Sequence, residues 1–155
     1  MPADSERPAL PHTFRPIGVR FAVYGFGSML VVLCLAVWFA FPPEVRAQFT
    51  GFQLGTLIFL GLLFGAAGYA MARSRIVAHA DRLTVVNGYK RRDFEWSQVV
   101  AVRLMPGSPW ATLDLSDGTT VSAMGIQGSD GRRALAQVRD LRSLVEDLSR
   151  TDRDD

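Results

Sequence analysis

Two apolar stretches, MLVVLCLAVWFAF at residues 29–41 and LGTLIFLGLLFGAAGY at residues 54–69, decide the fold of the N-terminal half of the chain. No Asp, Glu, Lys or Arg occurs in residues 21–41 or 47–72. A bilayer core of about 30 Å needs roughly 20 apolar residues at a helical rise of about 1.5 Å each. Over such a length only a helix satisfies its own backbone in lipid, so the sequence predicts two transmembrane helices, at about 21–41 and 53–72.

The alternative to two spans is a cleavable signal peptide followed by a buried core helix. A cleavable signal has a shorter apolar region, which a small-residue cleavage site follows. Here Pro42 and Pro43 follow the first stretch, and a second long apolar run comes after them. The prolines end the first helix and begin a connection of about ten residues, a length that permits only an antiparallel hairpin.

Basic residues on the outer flanks of the hairpin predict its orientation. They are Arg7, Arg15 and Arg20 before the first span, and Arg73 and Arg75 after the second. The connecting loop carries only Arg46. Because positive flanks prefer the cytoplasm, the sequence predicts a multi-pass protein of the cell membrane with cytoplasmic N- and C-termini.

The second half of the chain has a different composition. Residues 74–155 carry twelve basic and twelve acidic side chains, so this half has no net charge. A general nucleic-acid binder would carry a basic excess, and the sequence therefore predicts no nucleic-acid partner.

Alternating β-branched and polar residues in this half predict short strands separated by turns. The predicted strands lie at residues 75–79, 82–87, 90–95, 98–104, 110–115 and 119–124. Asn87-Gly88 is a strong hairpin signal, because a type I′ turn needs positive φ at both positions.

The apolar period then changes to that of a helix. From Arg132 to Leu148, apolar residues fall in one stripe, which predicts an amphipathic helix lying along the β layer. The stripe consists of Leu135, Val138, Leu141, Val145 and Leu148. Ser129 or Asp130 is placed to cap the start of this helix.

The chain is thus predicted to have four parts. They are an N-terminal cytoplasmic tail at residues 1–20, the transmembrane hairpin at 21–72, one domain at 74–150 and a disordered tail at 151–155.

Three segments of the domain carry a family resemblance. ADRLTVVNG at residues 80–88, RDFEWSQV at 92–99 and LSDG at 115–118 resemble the bacterial pleckstrin-homology (PH) domain families. The whole layout is similar to the two-span actinobacterial proteins typified by low molecular weight protein antigen 6. The resemblance implies an α+β fold, a PH-like antiparallel β-barrel or sandwich of about six to seven strands capped by a C-terminal amphipathic helix. It implies membrane tethering, and it does not identify a ligand.

The sequence predicts a protein that is not an enzyme. His12 lies in the N-terminal tail and His79 at a strand end beside Asp81, without a nucleophile or ligand set at a recognisable spacing. CxxC, HExxH, Walker and GxSxG motifs do not occur. We therefore expect no catalytic residues, no cofactor and no metal.

Lys90, Arg91 and Arg92 form the first candidate contact site. They follow the predicted hairpin turn close to the membrane, where each basic residue would contribute about 1 kcal/mol of attraction to anionic lipid. The alternative is a solvated hairpin whose charges pair with Asp93 and Glu95.

Gly61, Gly65 and Gly68 form the second candidate. Small residues four apart allow helix backbones to approach closely. The face would pack against the first span, or it would serve in homo-oligomerisation or docking on a larger membrane complex.

Two functions follow from these features. The first is a membrane-anchored, non-enzymatic interaction module that binds a protein partner or lipid headgroups at the cytoplasmic face. The second is an accessory subunit of a larger membrane protein complex, docked through the glycine face.

Overall fold

A computed structural model describes residues 8–151 of the chain, without the side chains of residues 150 and 151. The chain forms two compact units, a helical one at residues 19–72 and a second one that joins residues 8–18 to the segment from 73 onward. Arg7 of the predicted positive flank and residues 152–155 of the predicted tail lie outside the described residues.

The helical unit contains α1 (Gly18–Ala40), the short α2 (Pro43–Arg46) and α3 (Gly51–Arg73). Both long helices are long and apolar enough to cross a membrane, and no residue of their apolar windows is buried. Such exposure argues against core helices of a soluble domain, whose apolar faces would be covered.

The ends of these helices follow from local chemistry. Phe41 takes an extended backbone (φ −65°, ψ 136°) after α1, because the residue before a proline is disfavoured in the helical region. Thr50 and Gln53 form a reciprocal capping box at the start of α3, with the Gln53 amide donating to Thr50 Oγ1 at 3.3 Å and the Thr50 amide donating to Gln53 Oε1 at 3.0 Å.

The second unit contains seven strands in two antiparallel sheets and a C-terminal helix. The strands are β1 (His12–Phe14), β2 (Arg75–Ala78), β3 (Leu83–Asn87), β4 (Lys90–Phe94), β5 (Val99–Arg103), β6 (Trp110–Leu115) and β7 (Thr120–Gln127), and the helix is α4 (Arg132–Thr151). The sheet orders are β1-β2-β3-β4 and β5-β6-β7. The predicted two-layer β fold with a C-terminal helix is confirmed, and α4 extends one residue into the predicted tail.

Strand β1 is where the structure differs from the predicted four-part division. His12 pairs with Ala78 and Phe14 with Ile76, so the segment assigned to an N-terminal tail completes the first sheet. Phe14 is fully buried in the core. The domain is therefore discontinuous, because the two long helices are inserted between its first and second strands.

One face of α4 closes the core between the sheets. Its buried apolar residues are Ala134, Val138, Leu141, Leu144 and Val145. The predicted stripe is wrong at Leu135, which is 54% exposed, because Ala134 occupies the core-facing position in the first turn. The helix begins at Arg132, directly after Gly131 at φ 56°, so neither Ser129 nor Asp130 occupies the position immediately before it.

Candidate membrane-surface site

The register of the β3–β4 hairpin divides the three basic residues between two faces. Lys90 pairs with Asn87 and Arg92 with Val85, and Val85 is buried in the core. Because side chains alternate along a strand, Lys90 and Arg92 share the inner face of the sheet, while Arg91 lies on the outer face. The structure thus brings two of the three predicted residues together.

Lys90 and Arg92 line an open groove of about 310 Å³. Its opposite wall is formed by β7, which contributes the hydroxyl-bearing residues Thr120 and Ser122. Two cations beside hydroxyl groups suit an anion that accepts charge-assisted hydrogen bonds. The sequence did not indicate this second wall, since β7 meets β3 only through the tertiary fold.

The Asn87 side chain joins the two walls of the groove. Its Nδ2 donates to the Ser122 carbonyl, and its Oδ1 accepts from the Met124 amide at 3.0 Å. Both polar ends of this amide are therefore engaged by β7. Asn87, which the sequence indicated only as a turn residue, thus links β3 to β7 beside the groove.

Arg91 has a different environment on the outer face. Its guanidinium lies 3.2 Å from the Asp93 carboxylate, which also accepts a hydrogen bond from the Thr84 hydroxyl. The hydrogen bond from Thr84, and then the one from Arg91, lower the pKa of Asp93 below its ordinary value. The alternative stated for this hairpin, in which its basic residues pair with Asp93 and Glu95, therefore applies to Arg91, which pairs with Asp93.

The turn of this hairpin contacts the residues that follow the second apolar stretch. The amide of Gly88 donates to the buried Ser74 hydroxyl at 2.9 Å, and Gly88, the first of the two turn residues Gly88 and Tyr89, has φ 59°. The Arg73 guanidinium lies 5.6 Å from the centroid of the Tyr89 ring, and Tyr89 is 62% exposed. The basic hairpin is therefore held beside the point where the chain re-enters the domain.

Asp130 holds the chain at the other junction, where the N-terminal segment leaves the domain and enters α1. Its carboxylate oxygens accept hydrogen bonds from the amides of Ile17 at 3.1 Å and Gly18 at 3.0 Å. A Cβ on Gly18 would lie 2.8 Å from Asp130 Oδ1, so a side chain at this position would displace the carboxylate from its present place. The predicted helix-capping residue therefore fixes the end of the N-terminal segment.

The candidate glycine face is divided between two environments. A Cβ on Gly68 would lie 3.2 Å from Val23 Cγ1 of α1. At Gly61 and Gly65, no described atom outside their own stretch of helix lies within 4 Å of that position. Of these three glycines, Gly68 is therefore the one that lies against a described side chain of the other long helix.

Within residues 8–151, no group of three or more His, Cys, Asp or Glu side chains could hold a metal ion. The two histidines occupy ordinary structural positions. The His12 ring packs edge-to-face on Phe14 with centroids 4.6 Å apart, and the His79 amide closes a turn with the Arg82 carbonyl at 2.9 Å.

Two antiparallel sheets with seven strands in total and one closing C-terminal helix define a PH-like domain. Residues 73–144 match the family model described as "Bacterial PH domain". The match begins after the inserted hairpin and so leaves out β1.

Relatives of the chain occur in mycobacteria. An uncharacterized protein of Mycobacterium tuberculosis and one of Mycobacterium bovis are each 37% identical to it over 86 residues. These alignments cover 56% of this chain and 56% of each relative, so the match spans little more than half of their length. They agree with an actinobacterial family. No solved structure matches the chain.

Proposed function

We propose that the protein is a membrane-anchored, non-enzymatic PH module that binds an anionic lipid headgroup at the cytoplasmic face of the cell membrane. The observation that carries this proposal is the position of the groove with Lys90 and Arg92 on a hairpin whose turn contacts Arg73 and Ser74. These two residues directly follow the apolar sequence of α3. A groove at this position suits a ligand that is presented by the bilayer.

The discontinuous domain supports the predicted topology. β1 precedes α1, β2 follows α3, and the two strands pair in one sheet. This pairing supports a topology in which both flanks of the hairpin lie on one side of the membrane, which two spans permit. The basic flanks then favour the cytoplasmic side.

Replacing both Lys90 and Arg92 by alanine is expected to weaken binding of anionic lipid roughly 30-fold, because each cation contributes about 1 kcal/mol. Native mass spectrometry of the full chain in detergent measures this with dioctanoyl phosphatidic acid and dioctanoyl phosphatidylglycerol. Dioctanoyl phosphatidylcholine serves as the zwitterionic comparison.

Arg91→Ala is the matched control, because Arg91 lies on the outer face and pairs with Asp93. Its anionic-lipid affinity should stay within about twofold of that of the natural protein. An equal loss in the control and in the double variant would mean that only general charge matters. No preference for anionic lipid in the natural chain would contradict the proposal and favour a protein ligand.

The exposed surface at Gly61 and Gly65 favours a second candidate, an accessory subunit that docks on a larger membrane complex. Replacing both glycines by leucine is expected to reduce co-purification of a stoichiometric partner on the order of tenfold, since the added side chains keep a neighbouring helix away. Quantitative mass spectrometry after extraction in mild detergent measures the ratio of partner to chain. Leu63→Ala, on the opposite side of α3, is the control, and unchanged co-purification in the double variant would exclude this docking face.

A further inference from the structure

A second surface of the domain exposes large apolar side chains. Met105 is 59% exposed and Leu135 is 54% exposed. They line a cavity of about 530 Å³ together with Leu104, Pro106 and Pro109. This cavity is larger than the basic groove, and the function proposed for that groove leaves it unused.

The loop that carries Met105 is held in a fixed shape. The Ser108 amide donates to the Met105 carbonyl at 3.0 Å, and Gly107 adopts φ 81° in this turn. The Gly128 amide donates to the Pro109 carbonyl at 3.0 Å and so ties the loop to the end of β7. The apolar side chains are therefore presented by a preformed surface.

The far wall of the cavity is connected to the start of α1. Gly128, Ser129 and Gly131 line this wall, and they flank Asp130 in sequence. The Asp130 carboxylate holds the amides of Ile17 and Gly18, and Gly18 is the first residue of α1. These two hydrogen bonds tie this part of the domain to the segment that leads into the first apolar helix.

Two charges that lie in sequence between the lining residues Gly131 and Leu135 complement an anionic surface. Arg132 and Arg133 are exposed and are the first two residues of α4, whose first turn contains no acidic residue. Cations at a helix N-terminus are disfavoured by the helix dipole. Lipid phosphates would offset this repulsion. The neighbouring apolar side chains would then lie just below the phosphates, at the boundary between headgroups and acyl chains.

We propose that the loop 105–109 and the start of α4 form a second membrane-contact surface, in which Met105 and Leu135 enter the boundary between headgroups and acyl chains. Arg132 and Arg133 lie among the lipid phosphates. The inference rests on the proposed anchoring of the chain in a membrane, but it is independent of the groove at Lys90 and Arg92.

The test places an environment-sensitive fluorophore on a single introduced cysteine in the full chain. The background carries Cys34→Ser, and the labelled variants are Met105→Cys, Leu135→Cys and the control Val100→Cys. Val100 is 63% exposed and lines a different cavity. Each labelled protein is reconstituted in nanodiscs of phosphatidylcholine alone and of phosphatidylcholine with phosphatidylglycerol.

Iodide quenching at residues 105 and 135 is expected to be about threefold weaker than at residue 100, because bilayer immersion excludes the aqueous quencher. Protection in either lipid mixture supports the proposal. Quenching equal to that of the control in both mixtures overturns it, and so does protection that appears only after a membrane protein extract is added. If replacing Lys90 and Arg92 did not weaken binding of anionic lipid, the quenching expected at residues 105 and 135 would stay the same. The two proposals can therefore fail separately.

Discussion

Replacing Phe14 by alanine is expected to lower the free energy of unfolding of the domain by about 3–5 kcal/mol. Phe14 is fully buried and packs in the core that both sheets and α4 enclose. Its loss removes a large apolar side chain and leaves a cavity that the paired strands cannot collapse to fill. Since a domain of this kind is stabilised by only about 5–15 kcal/mol, much of the stability is at stake.

The measurement is urea unfolding of the full chain in detergent micelles, followed by tryptophan fluorescence in a Trp38→Phe background. The signal then comes from Trp96 and Trp110, which both lie in the domain. Thr13→Ala is the matched control, since Thr13 pairs with Val77 on the other face of β1, and we expect it to cost less than about 1 kcal/mol. Equal stabilities for both variants would mean that β1 is not part of the folded domain.

The same argument applies to a fragment that begins at residue 73, where the family match begins. Such a fragment lacks Phe14 and the strand that covers the edge of β2. It would expose both a core cavity and an unpaired strand edge, which is a template for aggregation. Experiments on the domain therefore require the N-terminal segment, and with it the inserted helices.

The parts of this fold that the sequence predicted correctly are those set by local signals. The two long helices follow from uninterrupted apolar composition, which needs no tertiary information. The hairpin turn predicted at Asn87-Gly88 lies one residue further on, at Gly88-Tyr89, and Gly88 has φ 59°. Asn87 pairs with Lys90 and has no positive φ, so the predicted type I′ geometry with positive φ at both Asn87 and Gly88 is wrong. β1 lacks such a signal, because its three residues carry no period and its partner lies beyond the whole hairpin.

At the candidate site, too, the sequence predicted the local features but not those that depend on partners distant in the chain. The basic run from Lys90 to Arg92 is visible in sequence, but strand alternation separates Arg91 from its neighbours. The second wall at Ser122 comes from β7 and depends on long-range packing. Leu135 was misplaced for a related reason, since a helical period fits more than one face and only the sheets decide that Ala134 faces inward.

Replacing Gly125 by alanine is expected to destabilise the domain by about 3 kcal/mol or more, because the added methyl group would overlap main-chain atoms. Its Cβ would lie 2.6 Å from the Ile76 nitrogen and 2.7 Å from the Arg75 carbonyl carbon. β2 cannot move away, since it is paired with β1 on one side and with β3 on the other. The same urea titration measures this loss.

Gly107→Ala is the matched control for the Gly125 variant, because both changes add one methyl group. The Cβ at Gly107 meets nothing within 4 Å in the described chain, so its only cost is the positive φ of 81°, about 1–2 kcal/mol. Because β7 also carries Ser122, displacing it from β2 should widen the groove and weaken anionic-lipid binding under conditions where the domain is still folded. A Gly125 variant as stable as the Gly107 variant, with unchanged lipid affinity, would contradict the close crossing of β7 over β2 and its role in shaping the groove.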